Sequence, residues 1–483
     1  MQSVGIGKKE LLALLIAGLM LAGIYQYYGD FNAMALMAVI ICGLLLSVTV
    51  ALQKTFWFYA TMVFLIPLSI DIGIAGGAQV NTPSELMLLL LLAVVVLFHK
   101  DYGRSLQSTL RHPIAIFLLI DLFWQLIVTT TSAQIDVSFK RWIIHTIFTI
   151  GFFTTISMLK SPKRILQIWM AYAIGLVPVM WVAFRHLQHY DFNPRTVFAI
   201  SEPFFPDHTI YGACLAFIIP LLILLCIHWK KLHWKRWQTV GLFLLTIFTI
   251  GSDFMALSRA AILSLVVAGL FALLLHWKMR FRGLVIGLVS LLLIAFSLQD
   301  QIYTYLEKTE AVSNDGEVTN HLSSVTNIQT DASNLERVNR WVCAVRMFED
   351  RPLVGFGPGT YQFEYNKYQT MEYKTYISSN TGEKGNAHSE YLTYLSEKGL
   401  PGAIIFLCIV FAALYFGMKN HEQLEDPMLR LLNLGILLGL VTYFFHGIFN
   451  SFMDQSKMAF LYFSALGTIV WISQNLRKSQ REV

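Results

Sequence analysis

Three basic residues stand where a basic side chain calls for an explanation. Arg195 lies in Asn193-Pro-Arg-Thr-Val-Phe198, Arg259 in Leu257-Ser-Arg-Ala-Ala-Ile-Leu263 and His388 in Gly385-Asn-Ala-His-Ser389. Arg259 opens an apolar run, so it falls at a predicted helix N-terminus, where free backbone N–H groups and the helix dipole attract anions. A guanidinium there would complete a phosphate site by forked hydrogen bonding. A lipid-headgroup contact fits the same residue equally well, because basic side chains snorkel to interfaces. His388 falls in the first turn of a short helix that Asn386 can cap and Gly399 can end, with Pro401 starting the next apolar run. A histidine near neutral pH can take a proton from a hydroxyl; a capping or headgroup-contacting histidine is the plainer alternative. Ser258, Ser389, Lys140 and Arg141 are possible supporting contacts.

The elements that must position these residues are membrane spans. Of the 483 residues, 55% are hydrophobic and 14% charged, and the mean hydropathy is +0.56. Apolar runs of roughly 18–22 residues fit a hydrocarbon core. They fall at 10–28, 33–52, 55–73, 83–99, 113–131, 139–158, 164–185, 209–228, 237–255, 259–276, 282–298, 399–418, 428–449 and 457–475. The expectation is an all-α polytopic membrane protein with about 12–14 transmembrane helices. The first run follows Lys8 and Lys9 without a clear cleavage site and reads as a retained span. Alternate loops are basic: Lys160, Lys163 and Arg164 in one, Lys230, Lys231, Lys235 and Arg236 in another, Lys278, Arg280 and Arg282 in a third. The loops near 29–32, 74–82, 132–138 and 450–456 carry no Lys or Arg. By the positive-inside rule both termini are cytoplasmic, and Arg195, Arg259 and His388 share the outer face. The net charge of +6 is thereby accounted for without nucleic acid.

Three segments follow: a bundle over 1–298 that includes an outer loop at 186–208, a large outer loop over 299–398, and the spans and tail of 399–483. The large loop is rich in Ser, Thr, Asn and Asp through about Ser333 and reads as mobile. Leu335, Val338, Trp341, Val342, Val345 and Phe348 then recur at helical spacing. Arg351-Pro352 ends that helix, and Gly355-Phe-Gly-Pro-Gly359 forms a turn. Tyr361, Phe363, Tyr365, Tyr368, Tyr373 and Tyr376 suit an interface or stacking on sugars. Arg337, Arg340 and Arg346 read as structural or headgroup-facing.

Cys42, Cys214, Cys226, Cys343 and Cys408 have no disulfide or metal-ligand pattern, and there is no P-loop or HExxH. A metal-dependent sugar transferase would want paired carboxylates in an early outer loop, and the first offers only Asp30. Asp315-Gly-Glu317 reads as solvated sequence. A transporter would place ionisable residues inside spans; Asp71, Asp121, Asp253, His145 and His446 are candidates, most of them near a span end or without an evident partner. A membrane O-acyltransferase would use a histidine but has no need of two outward arginines.

His388-Ser389, nine residues and then Gly399-Leu-Pro-Gly402 resemble a motif of the bacterial O-antigen ligases and their relatives, the O-antigen polymerases and O-oligosaccharyltransferases. Ser258-Arg259-Ala-Ala resembles a second motif, and Glu336-Arg-Val-Asn-Arg-Trp341 with Phe348-Glu-Asp-Arg-Pro-Leu353 and Gly355–Gly359 looks like the family's loop signature. Arg195 resembles its first arginine, although Asp207-His208 stands where a Pro-Asn pair is usual. The likeness covers about 190–405 and implies a C-type glycosyltransferase-like fold in the bacterial inner membrane. It also implies an undecaprenyl-diphosphate-linked glycan as donor, a lipid A–core hydroxyl as acceptor, and no metal or other cofactor. In that setting His388 is expected as general base, with Arg195 and Arg259 on the donor diphosphate. A growing glycan or a protein hydroxyl as acceptor remains open.

Overall fold

A computed structural model describes residues 55–74, 78–84, 87–88, 91, 107–298, 321–371, 374, 378 and 385–482. The expected spans at 10–28 and 33–52 lie outside these residues, as do nearly all of 83–99 and the Asp315–Glu317 stretch. The described chain is helical apart from one hairpin. Helix α1 (Thr55–Leu65) is followed by strands β1 (Ile70–Ile74) and β2 (Ala78–Thr82), paired antiparallel with Ile72 opposite Val80. The span expected to reach residue 73 therefore ends at Leu65. Pro67 stands two residues on, where its missing N–H cannot continue a helix.

Next come α2 (Pro113–Thr130), α3 (Ile135–Met158), α4 (Pro162–His189), α5 (His208–Ile227), α6 (Arg236–Met255), α7 (Arg259–His276) and α8 (Phe281–Ser297). After them run α9 (His321–Asp350), α10 (Glu390–Gln423), α11 (Pro427–His446) and α12 (Ser456–Glu482). Among the described residues eight helices are long and apolar enough to cross a membrane: α2, α4, α5, α6, α7, α10, α11 and α12. This is an all-α polytopic membrane protein. Local chemistry sets the starts. Ser161 caps α4 with Pro162 following, Asp207 caps α5 through the amides of Thr209 and Ile210, and Asp426 caps α11 ahead of Pro427.

Burial ranks the helices. The apolar windows of α12 and α5 are 94% and 83% buried, those of α6 and α7 only 33% and 22%, so the former form the centre and the latter its rim. Helix α11 presses against α5 at Gly439, where an added Cβ would meet the carbonyl oxygen of Phe217 at 2.6 Å; small residues permit such close approach in membrane bundles.

The loop helix α9 begins at His321, well before the expected start near Leu335. Its C-terminal half packs on a small second core of Cys343, Ala344, Met347, Phe356, Tyr361, Tyr365 and Ala387. The tyrosines expected at an interface are thus partly interior. Tyr361 and Tyr365 stack with centroids 5.5 Å apart, and the Tyr361 hydroxyl donates to Arg340 O at 2.7 Å. Tyr373 and Tyr376 lie outside the described residues.

Candidate active site

The site is built around α10, which is two helices in one. Gly399 has φ 66° and ψ −173°, breaking it into a short segment, 390–398, and a membrane-length one. That conformation is essentially restricted to glycine. A break leaves the carbonyls of the preceding turn without helical partners. Here they are taken up by other elements: Phe356 N donates to Ser396 O (3.1 Å), Gly357 N to Glu397 O (2.8 Å) and Trp124 Nε1 to Lys398 O (2.9 Å). On the far side of the break Leu400 N donates to Pro352 O at 2.8 Å. The Arg351-Pro-Leu and Gly355–Gly359 motifs are therefore the surface against which the kink is formed. The Glu397 carboxylate clamps the same loop, accepting from Gly359 N (2.8 Å) and Tyr361 N (3.1 Å).

His388 sits at the other end of the short segment. The helix starts at Glu390 with Ser389 as its cap, the hydroxyl accepting from Leu392 N at 3.4 Å. His388 thus lies before the cap, not in the first turn, and Asn386 does not cap the helix. Asn386 Oδ1 instead accepts from His388 N (3.0 Å), while its amide donates to Ser451 O (2.9 Å). This turn holds His388 at φ 46°. A left-handed conformation costs a residue with a Cβ about 1–2 kcal/mol, and helix α9 supplies contacts that hold it there. Trp341 Nε1 donates to His388 O (3.2 Å), and Arg340 Nη1 donates to Asn386 O (3.0 Å). Arg340 is itself fixed by Glu336 at 2.8 Å. Glu390 anchors the next loop, its Oε2 accepting from Phe452 N (2.9 Å) and Met453 N (3.3 Å).

The imidazole of His388 is partly exposed and takes no hydrogen bond among the described residues. Burial, reinforced by the charges of Arg340 and Arg337, pushes its pKa from 6.5 down to about 3. The ring is neutral at physiological pH, as a proton acceptor must be.

Arg259 is the first residue of α7 and is exposed; Ser258, buried, caps that helix by accepting from Ala261 N at 3.4 Å. Burial lowers the pKa of Arg337 on α9, and the Arg259 charge lowers it further. The field of Arg337 reaches His208 at the start of α5 and His446 at the end of α11 as well as His388. The charge of Arg337 is thus felt at His388, and that of Arg259 at Arg337. Arg195 lies on a 3-10 turn, Pro194–Ala199, whose Phe198 ring meets His208 edge-on at 4.9 Å.

Lys140 and Arg141 belong to a different neighbourhood. Lys140 is exposed on α3, and Arg141 is paired with Asp454 at 3.0 Å beside a cavity of about 40 Å³. His145, Glu390, Glu397 and Lys398 also line that cavity. Next to it, Asp121 Oδ2 accepts from Gln125 Nε2 (2.7 Å) and lies 3.0 Å from His145 Nε2, so these two span residues are partners of one another. Among the described residues no group of three His, Cys, Asp or Glu side chains could hold a metal ion.

From sequence Arg337 reads, with Arg340 and Arg346, as structural or headgroup-facing. The signal available was its spacing: it lies one helical turn before Trp341, on the helix face that docks on the histidine segment.

Residues 244–407, from within α6 through the kink of α10, match the family model described as O-antigen ligase. An uncharacterised protein of Haemophilus influenzae is 23% identical over 133 residues, which is 27% of this chain and 32% of that protein, so the matched stretch spans about a third of the relative. The match supports an enzyme of O-antigen ligase or polymerase type. Arg259, Arg337, His388 and the Gly399 kink all fall within the stretch that is similar to the O-antigen ligase family.

Proposed function

We propose that the protein transfers a glycan from undecaprenyl diphosphate to a hydroxyl of lipid A–core oligosaccharide at the periplasmic face of the inner membrane, with inversion at the anomeric carbon. The observation that carries this reading is a neutral histidine whose ring takes no hydrogen bond among the described residues, held in a left-handed turn by α9 and within the field of its Arg340 and Arg337. Arg195 and Arg259 bind the donor diphosphate. His388 accepts the proton of the acceptor hydroxyl, whose oxygen bonds to the anomeric carbon. The bond from that carbon to the diphosphate oxygen breaks, its electron pair remains on the diphosphate, and the guanidiniums stabilise the charge that grows there. The proton leaves His388 for water. Diphosphate is a good leaving group, so no separate acid is needed, and the guanidiniums supply the positive charge without a metal.

The deciding experiment is reconstitution with labelled undecaprenyl-diphosphate glycan and, in parallel, lipid A–core, free glycan and peptide acceptors. Transfer to lipid A–core identifies a ligase; transfer to glycan or peptide instead identifies a polymerase or a protein O-oligosaccharyltransferase using the same site. General-base catalysis typically contributes about 10²–10⁴-fold. His388→Ala is expected to lose transfer by that order while still binding donor. Wild-type transfer by that variant would remove the base assignment.

A further inference from the structure

We propose that the turn Arg351-Pro-Leu353 is a membrane anchor: Pro352 and Leu353 are immersed in the acyl chains of the leaflet at the Thr130 end of α2, and the lipid thereby braces the kink in α10. The proposal concerns where the loop unit sits and stands apart from the donor and acceptor assignments above.

The depth of the turn follows from α2. Its 18 residues, Pro113–Thr130, rise about 27 Å, close to the thickness of a hydrocarbon core, so its two ends mark the two edges of that core. Trp124 lies six residues, about 9 Å, in from Thr130. Side chains on a helix lean towards its N-terminus, so the indole of Trp124 reaches deeper still. Its Nε1 donates to Lys398 O at 2.9 Å, which sets the break in α10 inside the core. Leu400 N donates to Pro352 O at 2.8 Å, and the carbonyl of Leu353 closes on Gly399, so Pro352 and Leu353 share that depth. The chain then climbs back. Phe356 O accepts from Ala133 N (2.9 Å) and Pro358 O from Ser138 Oγ (3.0 Å), both beyond the end of α2. Three residues lead from Leu353 to Phe356, and three extended residues cover about 10 Å, enough for the climb.

The chemistry of the turn suits that position. Leu353 is 68% exposed, and Pro352 is exposed beside it. At this depth the surroundings they face are hydrocarbon. They extend a lipid-facing stripe: Leu400, Ile404, Leu407, Phe411 and Tyr415, all exposed, recur every three or four residues along the membrane-length part of α10. Irregular backbone survives in lipid only where its polar groups are met within the protein. Proline brings no N–H, and Pro352 O is taken by Leu400 N. Arg351 is bonded at both backbone groups: its N donates to Met347 O (3.1 Å) and its O accepts from Gly355 N (3.0 Å). The Arg351 guanidinium turns over the Phe356 ring, 4.5 Å from its centroid, on the side of the climbing chain, as a charge leaving hydrocarbon for the interface does.

The test uses the full-length protein in phosphatidylcholine nanodiscs. Photoreactive p-benzoylphenylalanine is placed in turn at Leu353, at Ile404 within the stripe and at the exposed, charged Lys367. After irradiation, mass spectrometry reads added phosphatidylcholine and gel electrophoresis reads cross-linked dimers. Expected are acyl-chain adducts at Leu353 and Ile404 in comparable yield, with little or none at Lys367. Adducts at Ile404 without any at Leu353 overturn the proposal. So does a protein–protein cross-link at Leu353, which would make the occupant a second copy of the chain. A second arm compares Leu353→Asp with Leu353→Met, because a carboxylate is costly in hydrocarbon and a thioether is not. Leu353→Asp is expected to unfold several degrees lower in nanodiscs and to expose the buried Cys343 thiol to labelling faster, with Leu353→Met matching wild type. Wild-type unfolding and labelling by Leu353→Asp overturn the anchor. If Leu353→Asp does not fold, the cross-linking arm decides alone.

Discussion

Gly399→Ala is a direct test of the kink on which the histidine depends. Gly399 has φ 66° and ψ −173°, a region that costs a residue with a Cβ on the order of 1–3 kcal/mol. The new methyl would also run into the carbonyl oxygen of Leu353, which is backbone and cannot swing aside. If the segment shifts to relieve that contact, the bonds from Leu400 N to Pro352 O (2.8 Å) and from Trp124 Nε1 to Lys398 O (2.9 Å) are strained, each worth about 0.5–1.5 kcal/mol. The expected cost is about 1–3 kcal/mol from the conformation alone and about 2–6 kcal/mol if both bonds are lost. The assay is thermal unfolding in detergent, followed by reaction of the buried Cys343 thiol with a fluorogenic reagent and run beside a transfer assay. Cys343 is fully buried in the small core beside the kink, so it reports the loop unit directly. Gly241→Ala in α6 is the control, since a Cβ there meets nothing within 4 Å and alanine is the better helix former. The expected result is an unfolding temperature lowered by several degrees and impaired transfer for Gly399→Ala, with Gly241→Ala unchanged or slightly stabilised. Indistinguishable behaviour of the two variants would refute the reasoning.

Other outcomes follow from the same contacts. Glu397→Ala removes the acceptor of two backbone N–H groups, from Gly359 and Tyr361; at about 1.5–3 kcal/mol per bond to a charged group, it should lower the unfolding temperature and speed Cys343 labelling. Arg340→Ala leaves the buried Glu336 without its ion-pair partner. Loss of one member of a buried pair costs about 3–5 kcal/mol, and Arg340→Lys should restore only part of it, as thermal unfolding would show. The pKa of His388 is depressed in the fold, so its contribution is fully present above about 6.5 and is lost as pH falls towards about 3. In that window His388→Gln should lose less stability on acidification than wild type, measured as unfolding temperature against pH.

Much of the architecture was legible in the sequence because a bilayer allows few solutions. The spans at 113–131, 164–185, 209–228, 237–255 and 259–276 fall on helices α2, α4, α5, α6 and α7 to within a few residues. Length, hydropathy and a cap or proline at the start were enough. What failed was the distinction between a long apolar helix and a short one that turns. At 55–73 the apolar residues continue past Leu65, but Pro67 and a hairpin follow. Hydropathy counts apolar residues and does not register how a strand pair buries them.

Around His388 the glycine and proline positions were readable, but their partners were not. Gly399 ends a helical segment as its residue type requires, yet only the fold shows that its carbonyls are met by Phe356, Gly357 and Trp124. Asn386 and Ser389 are both good caps, and sequence cannot choose between them. The choice matters chemically: with Ser389 as the cap, His388 falls outside the helix in a left-handed turn, its ring clear of the helical hydrogen bonds. Asp121 and His145 lacked an evident partner in sequence because their pairing joins α2 to α3 across 24 residues. Arg337 was set aside for a similar reason. The charge of Arg259 that it feels stands 78 residues earlier, and a field between distant elements has no local pattern. The loop motifs therefore have one physical task in common. Gly355–Gly359, Arg351–Leu353 and Gly399 shape the break in α10, while Arg340 and Trp341 hold its other end, and together they fix a nine-residue helix, 390–398, with His388 just ahead of its Ser389 cap. The nine-residue interval between His388-Ser389 and Gly399 is then the length of that rigid segment, and adding or removing one residue would rotate His388 by about 100° relative to the rest of α10.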